Sequence, residues 1–213
     1  MSHLARWAPL SGVLTVALWI IGVILVNHNS PGDHDTDAQI LAWYHANSHW
    51  VLVGGWLFML GCLAFLWFAE ILRERLEDAA APRTATRMMF AGAIAAAVFG
   101  IAVPLTDIAA AINKNEISAA TAGAAHHLSD GFFVGAEIAL ILVFLAGAIA
   151  VLGSRLLPKW WAWLMILVAI VLVIGPIGWA GLIFGMPLWV LGTTFFLVRR
   201  EAPASRPVAL ESN

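Results

Sequence analysis

Six of the seven histidines, His28, His34, His45, His49, His126 and His127, fall in two polar stretches, 27–49 and 106–130. The same stretches carry Asp33, Asp35, Asp37, Asp107 and Asp130, with Lys114 as their sole Lys or Arg. Imidazoles and carboxylates with so little competing cation can hold a divalent metal or a haem, pass protons, or respond to pH between about 5 and 8. His45 and His49 are four residues apart and share a face if a helix runs through them. Joined by His126 or His127, they would give three imidazoles for a zinc-bound water. No Glu lies between His45 and His49, so a dedicated zinc-hydrolase motif is absent.

A second constellation lies on one helical stripe. At 100° per residue His126, Asp130 and Glu137 fall within about 40° of one line, and Phe133 and Ile141 continue it. Glu137 lies about 16 Å along the axis from His126. In hydrocarbon an ionised acid costs about 3 kcal/mol, so Glu137 is expected to be protonated, paired or beside cavity water. It is either a general acid facing an internal cavity or a structural acid bonded to a neighbouring helix. Asp107 follows Pro104, where a missing N–H opens the backbone ladder, and is either a second acid for the site or a solvated helix-end carboxylate. Asp33, His34, Asp35 and Asp37 read as a solvated loop. Trp43, Tyr44 and Trp50 read first as interfacial anchors, with Trp43, Tyr44 and Phe133 as the alternative lining of a ligand site.

Positioning these groups is the work of a membrane bundle. The chain is 62% hydrophobic and 11% charged, with a mean hydropathy of +0.88, against about a quarter charged in soluble domains. Apolar runs at 9–26, 50–69, 88–105, 131–152, 157–176 and 179–198 each approach the length that spans a bilayer as helix. They are continuous rather than alternating, which excludes a barrel. The expected fold is all-α: one six-helix transmembrane domain over 1–200, with no second domain and no transporter-like repeat, followed by a disordered tail over 201–213. The first run is too long for the apolar core of a secretory signal and lacks a clear small-residue cleavage site.

Ten basic residues, Arg6, Arg73, Arg75, Arg83, Arg87, Arg155, Lys159, Arg199, Arg200 and Arg206, fall on one side of this topology and Lys114 alone on the other. The asymmetry predicts cytoplasmic termini, a multi-pass protein of a bacterial inner or plasma membrane, and a histidine-rich face turned outward. The Gly175-Pro176-Ile177-Gly178 segment is expected as a tight outer turn. Glu70, Arg73, Glu74, Arg75 and Glu77 give ordinary helix-surface ion pairs at the inner end. Small residues at 91–97, Gly131, Gly135 and Gly147 allow close helix packing. Cys62 is the lone cysteine, so disulfides within the chain are excluded.

Ile40-Leu41-Ala42-Trp43-Tyr44, the later Phe65-Leu66-Trp67-Phe68 and Leu72-Arg73-Glu74-Arg75-Leu76, and Leu157-Pro158-Lys159-Trp160-Trp161 resemble small bacterial six-span proteins. These belong to the domain-of-unknown-function 4386 group, and the resemblance runs over most of 9–198. It implies six helices and no established activity, so no residue role is carried over. Three classes of function fit. The first is an outward His/carboxylate site that binds a metal, haem or small amphipathic ligand, or senses pH. The second is an intramembrane acid–base enzyme on a lipid or isoprenoid, either cyclase-like through Glu137 or Asp107 or zinc-hydrolase-like. The third is a proton-coupled transporter, which would work as a homodimer. The expected partners are the bilayer and a hydrophobic small molecule, with no nucleic acid.

Overall fold

The computed structural model describes residues 10–32 and 34–201. Arg6, Asp33, Arg206 and the tail 202–213 lie outside the described residues. The helices are α1 Ser11–Val26, α2 Asp37–Asp78, α3 Arg83–Ile112, α4 Ala119–Leu152, α5 Lys159–Val173, α6 Gly175–Ala180, a π segment Gly181–Gly185 that continues it, and α7 Met186–Glu201. Among the described residues there is no strand. Four helical stretches are long and apolar enough to cross a membrane: α2, α3, α4 and the run Ile177–Arg200. The apolar α1 and α5 are shorter, at 16 and 15 residues.

Local chemistry sets the helix starts nearest the polar stretches. Thr36 and Gln39 form a reciprocal capping box at the head of α2, with Thr36 N donating to Gln39 Oε1 at 2.8 Å. Ser118 caps α4 by accepting from Thr121 N at 3.2 Å. Because α2 runs unbroken for 42 residues, about 63 Å, it extends well beyond its apolar run 50–69 at both ends. Ile40, Leu41, Trp43 and Tyr44 therefore lie on the first part of α2. The expected turn at Gly175-Pro176-Ile177-Gly178 is narrower than its sequence suggests. Only Ile174 leaves helical geometry (φ −83°, ψ 90°), and Pro176 sits in the first turn of α6, where its missing N–H costs nothing.

Consecutive long helices pack antiparallel. Gly22 and Gly54 bring α1 against α2 so closely that a Cβ on Gly54 would lie 2.6 Å from Val26 N, and one on Gly22 2.6 Å from Phe58 N. Tyr44 and Asp107 link α2 to α3, Ser129 and Val103 link α4 to α3, and Trp161 donates to Thr193 at 2.9 Å between α5 and α7. The main core runs through all of these helices, centred on Phe65, Phe68, Met89, Val143, Phe144, Met165 and Trp189. A separate apolar cluster of Ile40, Trp43, Tyr44, Val51, Ala110, Ala111 and Ala122 closes the end where the histidines gather. Arg73, Arg83, Arg155 and Arg199 lie at the opposite end. The two are called the histidine end and the arginine end below.

Candidate functional site

The site is organised around one carboxylate. Asp107 is 3% exposed, on α3 one turn beyond Pro104. Three side chains from two other helices converge on it. Tyr44 Oη on α2 donates to Oδ1 at 2.6 Å, Ser129 Oγ on α4 reaches Oδ2 at 3.0 Å, and His126 Nδ1 on α4 lies 3.4 Å from Oδ1. Ser129 Oγ also lies 2.9 Å from the Val103 carbonyl, which precedes the proline and accepts from Thr106 Oγ1 at 3.1 Å. The recruitment of a carbonyl beside Pro104 is thus present, while the solvated helix-end alternative for Asp107 is corrected. Burying a carboxylate demands donors, and here Tyr44 and His126 serve Oδ1 while the one Ser129 O–H is shared between Oδ2 and the Val103 carbonyl.

Trp43 and Tyr44 are likewise corrected as interfacial anchors. Tyr44 is fully buried and Trp43 nearly so, because the continuous α2 carries them under α3 and α4. Each buried polar tip has a partner: the phenol has Asp107, and Trp43 Nε1 donates to the His28 carbonyl at 3.1 Å. The Trp43 ring packs on Tyr44 at 4.8 Å and edge-on to His126 at 5.9 Å between centroids.

Beside this network lies a cavity of about 250 Å³. Its walls include Trp19 and Val23 of α1, Trp43 and Phe58 of α2, Val103, Pro104 and Asp107 of α3, and His126, Ser129, Asp130 and Phe133 of α4. Towards the histidine end it shares Asn27, Ser30, His126 and Asp130 with a more polar hollow of about 400 Å³, which His127 also borders. Towards the middle of the bundle it shares Trp19, Phe58, Val103 and Phe133 with a small apolar void of about 40 Å³, floored by Cys62, Leu182 and Met186. Polarity therefore falls steadily from mouth to floor.

The remaining expected residues are dispersed. Asp130 is exposed at the mouth, with His127 Nδ1 3.9 Å from its Oδ2. His45 and His49 are exposed on α2, away from the cavity lining; His49 stacks on Trp50 at 4.5 Å, and Lys114 Nζ reaches Ser48 Oγ at 2.6 Å. The set His45, His49, His126 and His127 is not brought together, and among the described residues no three His, Cys, Asp or Glu side chains are grouped to hold a metal ion. Glu137 is 7% exposed but does not border the cavity. Its carboxylate packs against Gly178 of α6, where a Cβ would lie 3.1 Å from Oε1, and Oε1 has no hydrogen-bond partner. The stripe 126–130–137 thus divides, its upper part lining the cavity and its lower part facing α6.

Ser129 is the residue that sequence reasoning missed. Its spacing from His126 and Phe133, three and four residues, is the signal that could have found it. Trp19 and Phe58 were unmarked too, because an aromatic inside an apolar run looks like any core or lipid-facing residue. Against known proteins, the chain matches no family model, no curated protein and no solved structure.

Proposed function

We propose that this protein is a multi-pass membrane protein that binds a small amphipathic molecule in the cavity beside Asp107. The polar part of the ligand lies near Asp107, His126 and Ser129, and its apolar part points towards Phe58, Phe133 and Leu182. One observation carries the reading: the cavity grades from a polar mouth to an apolar floor beside a carboxylate held by three helices. Ligand sites are typically apolar concavities with a few convergent polar groups. In this reading all six apolar runs cross the membrane, both termini are cytoplasmic, and the cavity opens outward. The ten-to-one distribution of Lys and Arg supports that orientation. Membership of the domain-of-unknown-function 4386 group belongs to the same proposal.

The test uses protein in neutral phosphatidylcholine nanodiscs and octanol as probe. Saturable binding, read by saturation-transfer NMR, is expected for the wild type and is expected to be lost in Val103→Phe, which fills both the cavity and its floor. Equal signals from the two proteins would overturn the ligand reading. Orientation is tested separately with cysteines at Ser30, Ser118 and Thr84. An impermeant maleimide should label the first two in whole cells and spare the third, and the reverse pattern would invert the topology.

A second reading, acid–base catalysis on such a ligand, is favoured by the His126–Asp107 pair. Nδ1 faces Asp107, so Nε2, on the opposite edge of the ring, is left for proton transfer while the carboxylate fixes the ring. His126→Gln should then abolish conversion of a membrane lipid extract followed by mass spectrometry while retaining octanol binding. Unchanged lipid profiles with the wild-type protein would remove this reading.

A further inference from the structure

The walls of the cavity also carry information about the charge of what enters it. Among the described residues no Lys or Arg borders the cavity, its mouth or its floor. Among the described residues the ionisable groups there are two carboxylates, Asp107 and Asp130, and two imidazoles, His126 and His127. The lining is therefore net negative whenever at least one imidazole is neutral. An anionic head group would meet no permanent cation and would lie beside a buried carboxylate in a medium where charges are weakly screened.

Asp107 has spare accepting capacity. A carboxylate offers about four acceptor positions. Tyr44 and His126 engage Oδ1, and Ser129 engages Oδ2, which leaves Oδ2 with capacity for a further donor. The wall also carries four aromatic side chains, Trp19, Trp43, Phe58 and Phe133, set among aliphatic ones such as Val23, Val103 and Pro104. Indole and benzene faces attract a cation through their quadrupole, most strongly where water is excluded. A negative lining, an open acceptor and aromatic walls are the three features a desolvated ammonium needs.

We infer that the ligand is a small lipophilic amine, bound as its ammonium with an N–H donating to Asp107 and its apolar chain directed towards the Phe58–Phe133–Leu182 floor. This rests on the ligand-binding reading above and specifies its chemical class. A fatty-acid-like or phosphate-bearing ligand is excluded by the same charge argument.

The probes are octylamine, octanol and octanoate, three chains of equal length carrying a cation, a neutral hydroxyl and an anion. They are measured at pH 7.5 on the same protein in neutral nanodiscs. Octylamine should bind at least tenfold tighter than octanoate. Asp107→Asn should cut the preference for octylamine over octanol at least tenfold, and Asp130→Asn, at an exposed position, should cut it by a smaller factor. The Asp130 variant keeps the test open if Asp107→Asn does not fold. Octanoate binding as tightly as octylamine, or a cation preference untouched by either carboxylate variant, would overturn the amine inference while octanol binding kept the cavity reading intact. Absence of saturable octanol binding would instead remove the cavity reading, and the amine inference with it.

Discussion

The arginine end and the histidine end both carry carboxylates near cationic or hydrogen-bonding partners, yet they are built on opposite principles. At the arginine end Arg73 pairs with Glu70 and Glu77, three and four residues away on the same helix, and Thr86 crosses from α3, with its Oγ1 2.8 Å from Glu77 Oε1. These side chains are between 23% and 37% exposed. At the histidine end Asp107 is nearly dry, and its partners Tyr44, His126 and Ser129 lie 63, 19 and 22 residues away. A local, wet ion pair adds little to stability, because water competes for both charges. A carboxylate that is only 3% exposed makes its donors hard to replace, since little solvent reaches it. The contrast explains why one end is packed as a helix surface and the other can support a cavity.

The largest effect that would break this contrast is expected from Asp107→Ala. It orphans the Tyr44 hydroxyl and takes the carboxylate from the His126 imidazole, while Ser129 keeps the Val103 carbonyl, and about 1 kcal/mol or more for each of these two losses puts the total at about 2 kcal/mol. Denaturant unfolding in detergent micelles should register it, and a loss below about 1 kcal/mol would mean that the network is wet or not formed. Next is Gly54→Val, which pushes α1 away from α2 at the backbone contact beside Val26. Overpacking of this kind costs about 1–3 kcal/mol, and saturable octanol binding should weaken with it because α1 supplies Trp19 and Val23 to the wall. A variant as stable as the wild type would refute the close approach.

Tyr44→Phe sharpens the comparison by removing one donor and leaving shape intact. About 1 kcal/mol is expected, since Ser129 and His126 still serve the carboxylate. In a double-mutant cycle with Asp107→Asn, the two losses should be non-additive by at least about 0.5 kcal/mol. Strict additivity would show that the 2.6 Å contact carries no coupling. The smallest effect belongs to the other end. Glu70→Ala should change stability by less than about 0.5 kcal/mol, because Arg73 retains Glu77 and solvent, and a loss comparable to that of Asp107→Ala would erase the distinction between the two ends.

Much of this was legible in the chain. Apolar runs of near-span length predict helices wherever they occur, and each run is largely helical, the fifth starting at Lys159 and interrupted at Ile174. The Glu70–Arg73–Glu77 pairing follows from helical spacing alone. His126, Asp130 and Phe133 were placed on one face by the 3.6-residue period, and all three border the cavity. The same period also put Glu137 in that stripe, because periodicity assigns a face and says nothing about which neighbour the face meets at each depth. Helix α6, packed on α4 at Gly178, covers the face at Glu137 and leaves it open at Phe133.

Sequence by itself determined the all-helical class, the helix-rich membrane-like composition, the separation of basic from histidine-rich ends and the pairs within one helix, since each depends on residues a few positions apart. Tertiary structure alone decided that Tyr44 faces Asp107, that Ser129 completes the network, that His45 and His49 turn away from His126, and that Trp19 and Phe58 border a void. These outcomes depend on the rotation of each helix about its axis and on how closely its neighbours approach. That rotation is set jointly by all the packed surfaces, including the Gly22–Gly54 contact, and no local pattern in the chain encodes it.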